Sequence, residues 1–189
     1  RRLLGTPFDD GGRIAASGRV DGRLLGELMS NPYLKRRPPK STGRELFGAQ
    51  AVSRALDERR DLSAEDLVAT LTEFTAASVA DACSRFVVPR LDGGLDRLVV
   101  GGGGAHNATL VSALGRLMPQ TEVLTQEDLG FSSDAKEAIA FAILGNQTLT
   151  GRPSNVPSAT GASCPVILGN VTYPPRVATR AKEHNEQEE

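Results

Sequence analysis

A chain of 189 residues is long enough for one hydrophobic core, or for one domain with pieces of another. Its 22 Lys and Arg against 23 Asp and Glu give a formal net charge of −1, which removes the electrostatic case for nucleic acid or an anionic membrane as partner. Two cysteines, Cys83 and Cys164, make neither a disulfide framework nor a Cys/His zinc spacing, so reduced, buried thiols in a cytoplasmic protein are expected and no metal site is.

No apolar run approaches the ~20 residues of a membrane span, and the start Arg1-Arg2-Leu3-Leu4-Gly5 lacks a signal peptide's apolar core. That start lacks Met and resembles the tail of a helix closing at Gly5, as in a fragment of a longer protein. Residues 5–18 carry Gly5, Pro7, Asp9-Asp10-Gly11-Gly12 and Gly18, turn chemistry that predicts a loop. From Asp21, a candidate N-cap, the residues Leu24, Leu25, Leu28 and Met29 recur at helical spacing until Asn31-Pro32. The run that follows is basic: Lys35, Arg36, Arg37 and Lys40 precede Ser41-Thr42-Gly43-Arg44. Such a loop could hold an anion through hydroxyls, amides and the charge of Lys40 or Arg44, or it could be a solvated connector.

Val52, Ala55 and Leu56 mark another helix toward Arg60. A longer one begins at Ser63, three residues before Asp66 in a capping-box-like start, with Leu67, Leu71, Phe74, Ser78, Ala82 and Phe86 along one face. It should end near Val87-Val88-Pro89.

Arg97–Val100 then reads as a strand that runs into Gly101-Gly102-Gly103-Gly104, followed by a helix capped by Asn107 and stopped by Pro119. Thr121–Thr125 reads as a second strand. A strand, helix, strand unit of this length favours a parallel pair with a right-handed crossover, which places the glycines at the carboxyl edge where α/β sheets bind ligands. The glycines let a ligand approach the backbone closely, and the N–H groups of the helix start can face it. The run fits neither Gly-x-Gly-x-x-Gly nor the Walker pattern, so a plain tight turn stands beside a phosphorylated or nucleotide ligand.

Ser132-Ser133-Asp134 opens the most apolar helix, with Ala135, Ala138, Ile139, Ala142 and Ile143 on one stripe and Phe141 and Leu144 on the other side. That helix should be substantially buried. Glu137 falls on the Phe141 side, where it needs a partner or a wet cleft, unless it serves only as a first-turn acid. Ser133-x-x-Lys136 has the spelling of a penicillin-binding-protein nucleophile motif, but Ser133 reads as a cap and no companion motif occurs. Gly151–Pro165 is a long irregular connection, Pro165–Gly169 a candidate last strand, and 176–189 a charged, disordered tail that includes His184.

Four segments together resemble the anhydro-N-acetylmuramic acid kinases in order and approximate spacing. They are Pro39-Lys40-Ser41-Thr42-Gly43-Arg44-Glu45, Gly102-Gly103-Gly104-Ala105-His106-Asn107, Asp134–Ala142, and Asn155-Val156-Pro157-Ser158-Ala159-Thr160-Gly161-Ala162. The stretch Phe8-Asp9-x-x-Gly12 to Ala15-x-x-Gly18 is similar too, and the likeness runs from residue 5 to about 174.

The resemblance implies an α/β fold of the actin-like (ribonuclease H-like) ATPase class, a sheet flanked by helices, of which this chain carries most of the second domain over 1–150. Residues 151–175 would return toward a first domain. It further implies an ATP-dependent, Mg²⁺-requiring phosphotransferase that opens anhydro-N-acetylmuramic acid with water to give N-acetylmuramic acid 6-phosphate for cell-wall recycling, with a homodimer as the implied assembly. Gly102, Gly103, Gly104, Ala105, His106 and Asn107 would be its adenosine motif and Glu137 a sugar contact. For Lys40, Ser41, Thr42, Gly43 and Arg44 the resemblance leaves contact with phosphate, contact with sugar and a structural role as alternatives. The family's Gly-Thr-Ser-x-Asp-Gly phosphate loop and its Asp-Thr-Gly-Pro-Gly-Asn motif, which carries the general base, do not occur in this sequence. The base is therefore expected upstream of residue 1, in a missing N-terminal half, and this chain alone should be inactive. The alternatives are a non-catalytic nucleotide-binding or interaction module built on the kinase fold, and a related sugar kinase with another acceptor.

Overall fold

Asp9 accounts for the first departure from the expected loop at residues 5–18. In the computed structural model, which describes residues 4–59 and 61–174, its carboxylate accepts from the backbone N–H of Ile14 (2.8 Å) and of Ala15 (2.9 Å). Those two bonds satisfy orphan donors of a short helix α1 (Arg13–Ser17), preceded by a 3-10 turn at Asp10–Gly12.

The chain divides into two compact units, Arg1–Ala140 and Phe141–Glu189. In the first, α2 (Gly22–Met29) is capped by Asp21, whose side chain accepts from Leu24 N–H, as the sequence predicts. Asn31 does more than stop it, because its side chain accepts from Tyr33 N–H and starts α3 (Pro32–Lys35). Two helices α4 (Arg44–Phe47) and α5 (Ala49–Glu58) follow. The long helix α6 (Ala64–Ala82) begins at Ser63, which accepts from Asp66 N–H. It passes into a π-helical turn at Cys83–Val87 and a 3-10 turn at Val88–Arg90, so Pro89 terminates the helical path where expected.

Strand β1 (Arg97–Val100) pairs in parallel with β2 (Glu122–Thr125), Arg97 opposite Glu122 and Val100 opposite Thr125. Helix α7 (Ala108–Leu117), capped by Asn107 through Leu110 N–H, makes the crossover. Ala76 of α6 and Ala113 and Leu114 of α7 form a buried cluster against which Leu98, Val100 and Val123 of the strands pack. Small side chains at Ala76 and Ala113 let the two helices approach, and the apolar area removed from water holds the sheet against α7. A second cluster joins Leu24, Ala55 and Leu67, with Leu28, Leu62 and Leu71 at its margin.

Helix α8 (Lys136–Leu149) starts in the first unit and ends in the second. It is not buried as expected. Ile139, Phe141, Ile143 and Leu149 are all exposed, Phe141 at 71 %. Apolar residues on two sides of a helix require two covering neighbours, and the described residues do not supply them. In the second unit, the short helix α9 (Pro157–Thr160) ends at Gly161 in the left-handed conformation. Asn155 braces the connector, donating to Cys164 O and accepting from Val166 N–H. The segment Pro165–Gly169 forms no strand, since among the described residues no second strand pairs with it. Val166, Ile167 and Leu168 are exposed. Cys164 is likewise exposed rather than buried, and Cys83 is half-buried, where desolvation pushes its thiol pKa up. The expected disordered tail, 176–189, lies outside the described residues.

Candidate functional site

The glycine run lies at the carboxyl end of β1, and its conformation explains its composition. Gly102 adopts φ +79° and ψ −168°, a region that residues with a Cβ rarely enter. The chain then tightens into a 3-10 turn at Gly103–His106, and Asn107 leads into α7. No heavy atom lies within 4 Å of the place a Cβ would occupy on Gly103, and only Leu110 Cδ2, at 3.5 Å, approaches that place on Gly104. The backbone there is open to an incoming ligand.

A cavity of about 510 Å³ opens on this turn, lined by Gly103, His106 and Asn107 together with Phe8, Asp9, Asp10 and Gly11. Its size falls in the range of small-molecule and cofactor sites. The Phe8 ring is 69 % exposed at its rim. Phe8 to Gly11 were not singled out as site residues from the sequence, although Phe8-Asp9-x-x-Gly12 belongs to the motif that carries the resemblance. The link between the two segments is direct: Thr109 Oγ1 donates to Gly12 O at 2.7 Å, and Gly12 lies against the Asn107 side chain.

On the β2 side, the Gln126 side chain is packed so closely against Gly101 that a Cβ on that glycine would collide with Gln126 Oε1. That oxygen is buried and without a hydrogen-bond partner among the described residues. Gln126 does not line the cavity, and ordered water is the partner that would satisfy a buried acceptor of this kind. His106 Nε2 lies 3.3 Å from Asp134 Oδ1. Glu127 accepts from the N–H of Ser133 (2.7 Å) and from its hydroxyl (2.8 Å), which hold its carboxyl below the usual range. Ser133 is thus buried and committed to Glu127. The serine that caps the turn into α8 is Ser132, accepting from Ala135 N–H at 3.2 Å, not Ser133 as the sequence suggested.

Glu137 lies in the first turn of α8, exposed and without a hydrogen-bond or ion-pair partner among the described residues. Lys40 to Arg44 do not line the glycine-turn cavity. The Lys40 ammonium donates to Leu34 O (2.9 Å) and Tyr33 O (3.3 Å) and lies 5.0 Å from the ring centroids of both Tyr33 and Phe86. Thr42 Oγ1 and Gly43 N–H both donate to Glu45 Oε1, so a carboxylate from the chain itself meets these donors. Hydrogen bonds from its own backbone N–H and that of Gly43, helped by Thr42, hold the Glu45 carboxyl below its usual pKa. Ser41 faces solvent, and Arg44 opens α4. Among the described residues no group of three or more His, Cys, Asp or Glu could hold a metal ion, and no helix is long and apolar enough to cross a membrane.

The family model described as anhydro-N-acetylmuramic acid kinase matches residues 1–174. An anhydro-N-acetylmuramic acid kinase of Clostridioides difficile (strain 630) is 46% identical over 175 residues, covering 93% of this chain and 45% of the relative. One of Bacillus thuringiensis subsp. konkukian (strain 97-27) is 48% identical over 177 residues, covering 93% and 46%. The chain therefore spans less than half the length of these relatives. A family match that covers every described residue establishes that the chain belongs to the anhydro-N-acetylmuramic acid kinase family.

Proposed function

We propose that this chain is the nucleotide-binding and sugar-contacting part of an ATP-dependent kinase acting on anhydro-N-acetylmuramic acid. The intact protein would open the anhydro bridge with water and phosphorylate the sugar to N-acetylmuramic acid 6-phosphate, in the recycling of cell-wall amino sugars in the cytoplasm. The observation that carries this reading is the open glycine turn at the carboxyl edge of β1, in a chain of this family.

ATP supplies the phosphoryl group. The residues present fit its adenosine end: a backbone cleared of Cβ atoms at Gly102–Gly104 and the cavity beside it. Glu137 can accept hydrogen bonds from sugar hydroxyls, because nothing else in the described chain occupies its carboxylate. In an actin-like arrangement the two functions would meet across the cleft between this part and the other domain. A Mg²⁺ ion would accompany the ATP phosphates, but the described residues offer it no cluster of ligands, so no step is assigned to this chain through the metal. Phosphoryl transfer depends on positioning and charge neutralisation around an oriented nucleophile. The two motifs that would orient the water and cradle the γ-phosphate do not occur in this sequence, and we assign the chain alone no turnover.

The test is a Glu137→Ala change in a protein that also carries both motifs. The expected result is a large rise in KM for the sugar with KM for ATP nearly unchanged. Equal losses for both substrates, or turnover by the 189-residue chain alone, would overturn the assignment.

A further inference from the structure

Lys136 brings its ammonium to the backbone of the glycine turn: a Cβ built on Gly102 would lie 3.8 Å from Lys136 Nζ. Gly102 is the residue with the φ of +79°, at the point where β1 gives way to the 3-10 turn. Lys136 is exposed, and it has no hydrogen-bond or ion-pair partner among the described residues. An unpaired cation held against an open backbone turn is suited to an anionic group approaching that turn.

The charges around the turn fix which end of a nucleotide can lie where. The cavity at the Gly103–Asn107 end has its charges already matched within the chain: Asp9 accepts from the N–H groups of Ile14 and Ala15, Asp10 pairs with Arg13, and His106 lies against Asp134, so that end offers a phosphate no unpaired cation. That end also presents the exposed Phe8 ring, against which a base can stack. The Gly102 end has the unpaired ammonium of Lys136.

From this asymmetry we propose that Lys136 binds the phosphate of the nucleotide at Gly102, with the base toward Phe8. The inference rests on the nucleotide reading of the turn and adds a residue and a direction to it. It also makes the first turn of α8 bifunctional, with Lys136 serving the nucleotide and its neighbour Glu137 the sugar.

The experiment is a nuclear magnetic resonance titration of the 189-residue chain with adenosine and with ADP at millimolar ligand, for the wild type, Lys136→Gln and Lys136→Arg. Losing one charge-assisted contact should weaken ADP binding about tenfold in Lys136→Gln. Adenosine binding should stay at the wild-type level, and Lys136→Arg should retain most of the ADP affinity. Unchanged ADP binding in Lys136→Gln, or an equal loss for adenosine and ADP, overturns the phosphate role while leaving the nucleotide site intact. A wild type that binds neither ligand overturns the nucleotide reading itself, and the role of Lys136 falls with it.

Discussion

Thr109 Oγ1 donates to the carbonyl oxygen of Gly12 across 97 positions of sequence, and so ties the start of the chain to the first turn of α7. The contact is close because Gly12 has no side chain. A Cβ there would collide with Asn107 Oδ1 and fall 2.8 Å from Thr109 Oγ1, and its φ of +76° is left-handed. Asn107 cannot simply move, since the same oxygen caps α7. Gly12→Ala is therefore expected to destabilise the protein by about 2–4 kcal/mol, combining backbone strain with a lost cap. Gly26, inside α2 with open space around it, is the control: Gly26→Ala should stabilise by about 0.5–1 kcal/mol. Urea unfolding midpoints measure both.

Arg59 bridges Asp21 and Asp61. Its Nη2 donates to Asp21 Oδ2 and Asp61 Oδ2, each at 3.0 Å, and its Nη1 donates to the other oxygen of Asp21. Hydrogen bonds from Arg59 lead the causes that hold both carboxyls below their usual range, and Asp61 and Asp21 in turn raise the Arg59 pKa. A depressed carboxyl pKa contributes stability that is present above the unfolded value of about 4 and is lost as pH falls through the folded value below it. Arg59→Met should thus be less stable than wild type near neutrality, with the difference shrinking at pH values below about 4. Thermal melts across that range check the sign. A difference that grows on acidification would count against the bridge.

How much of this was legible beforehand follows from the range of the forces involved. The caps at Asp21, Ser63 and Asn107 and the strands at Arg97 and Glu122 depend on neighbours a few residues away, so local pattern sufficed. The parallel pairing followed from the length of the crossover alone. The cavity did not: Phe8 and Gly11 join Gly103 and Asn107 only through contacts such as that between Gly12 and Thr109, which periodicity cannot carry. Helix α8 misled for a related reason. Its apolar residues require burial but do not say which surface provides it. The glycine turn was found because close backbone approach leaves its mark in composition, whereas the position of Lys136 over that turn leaves none.

Adjacent serines before α8 have different roles. Ser132 Oγ accepts from Ala135 N–H, so Ser132→Ala should lose about 1 kcal/mol as a missing cap. The Ser133 hydroxyl is a donor to Glu127, and removing it leaves the carboxylate one bond short. Glu127 would retain the Ser133 N–H, the first cause of its lowered pKa, so its pKa should rise in Ser133→Ala without reaching its ordinary value. Carbon-detected titration of the Glu127 carboxyl distinguishes the two variants, since Ser132→Ala should leave it unmoved.

Lys40 ties the basic loop to α3 by two carbonyls and the Tyr33 ring, and to the π-helical turn after α6 by the Phe86 ring. Methionine keeps the length of the stem but supplies no donor. Lys40→Met should therefore destabilise the chain by about 1–2 kcal/mol, the sum of charged hydrogen bonds and cation–π contacts in a half-buried setting. Denaturant unfolding gives the number. Adenosine affinity should be unaltered, because Lys40 does not line the glycine-turn cavity.

Gln126 presents the opposite balance. Its buried Oε1 has no partner among the described residues, an arrangement that typically costs about 1–3 kcal/mol. Methionine has similar length and no acceptor requiring a hydrogen, so Gln126→Met should raise stability by about 1 kcal/mol in the absence of ligand. Gln126 does not line the glycine-turn cavity, so the same change should leave adenosine binding unaltered. The two measurements separate the explanations. Higher stability with weaker adenosine binding would instead make Gln126 a ligand contact, whereas unchanged stability would show that water already satisfies the oxygen. Higher stability with unchanged binding, the expected pair, makes it a packing defect at the end of β2, close to the site but not part of it.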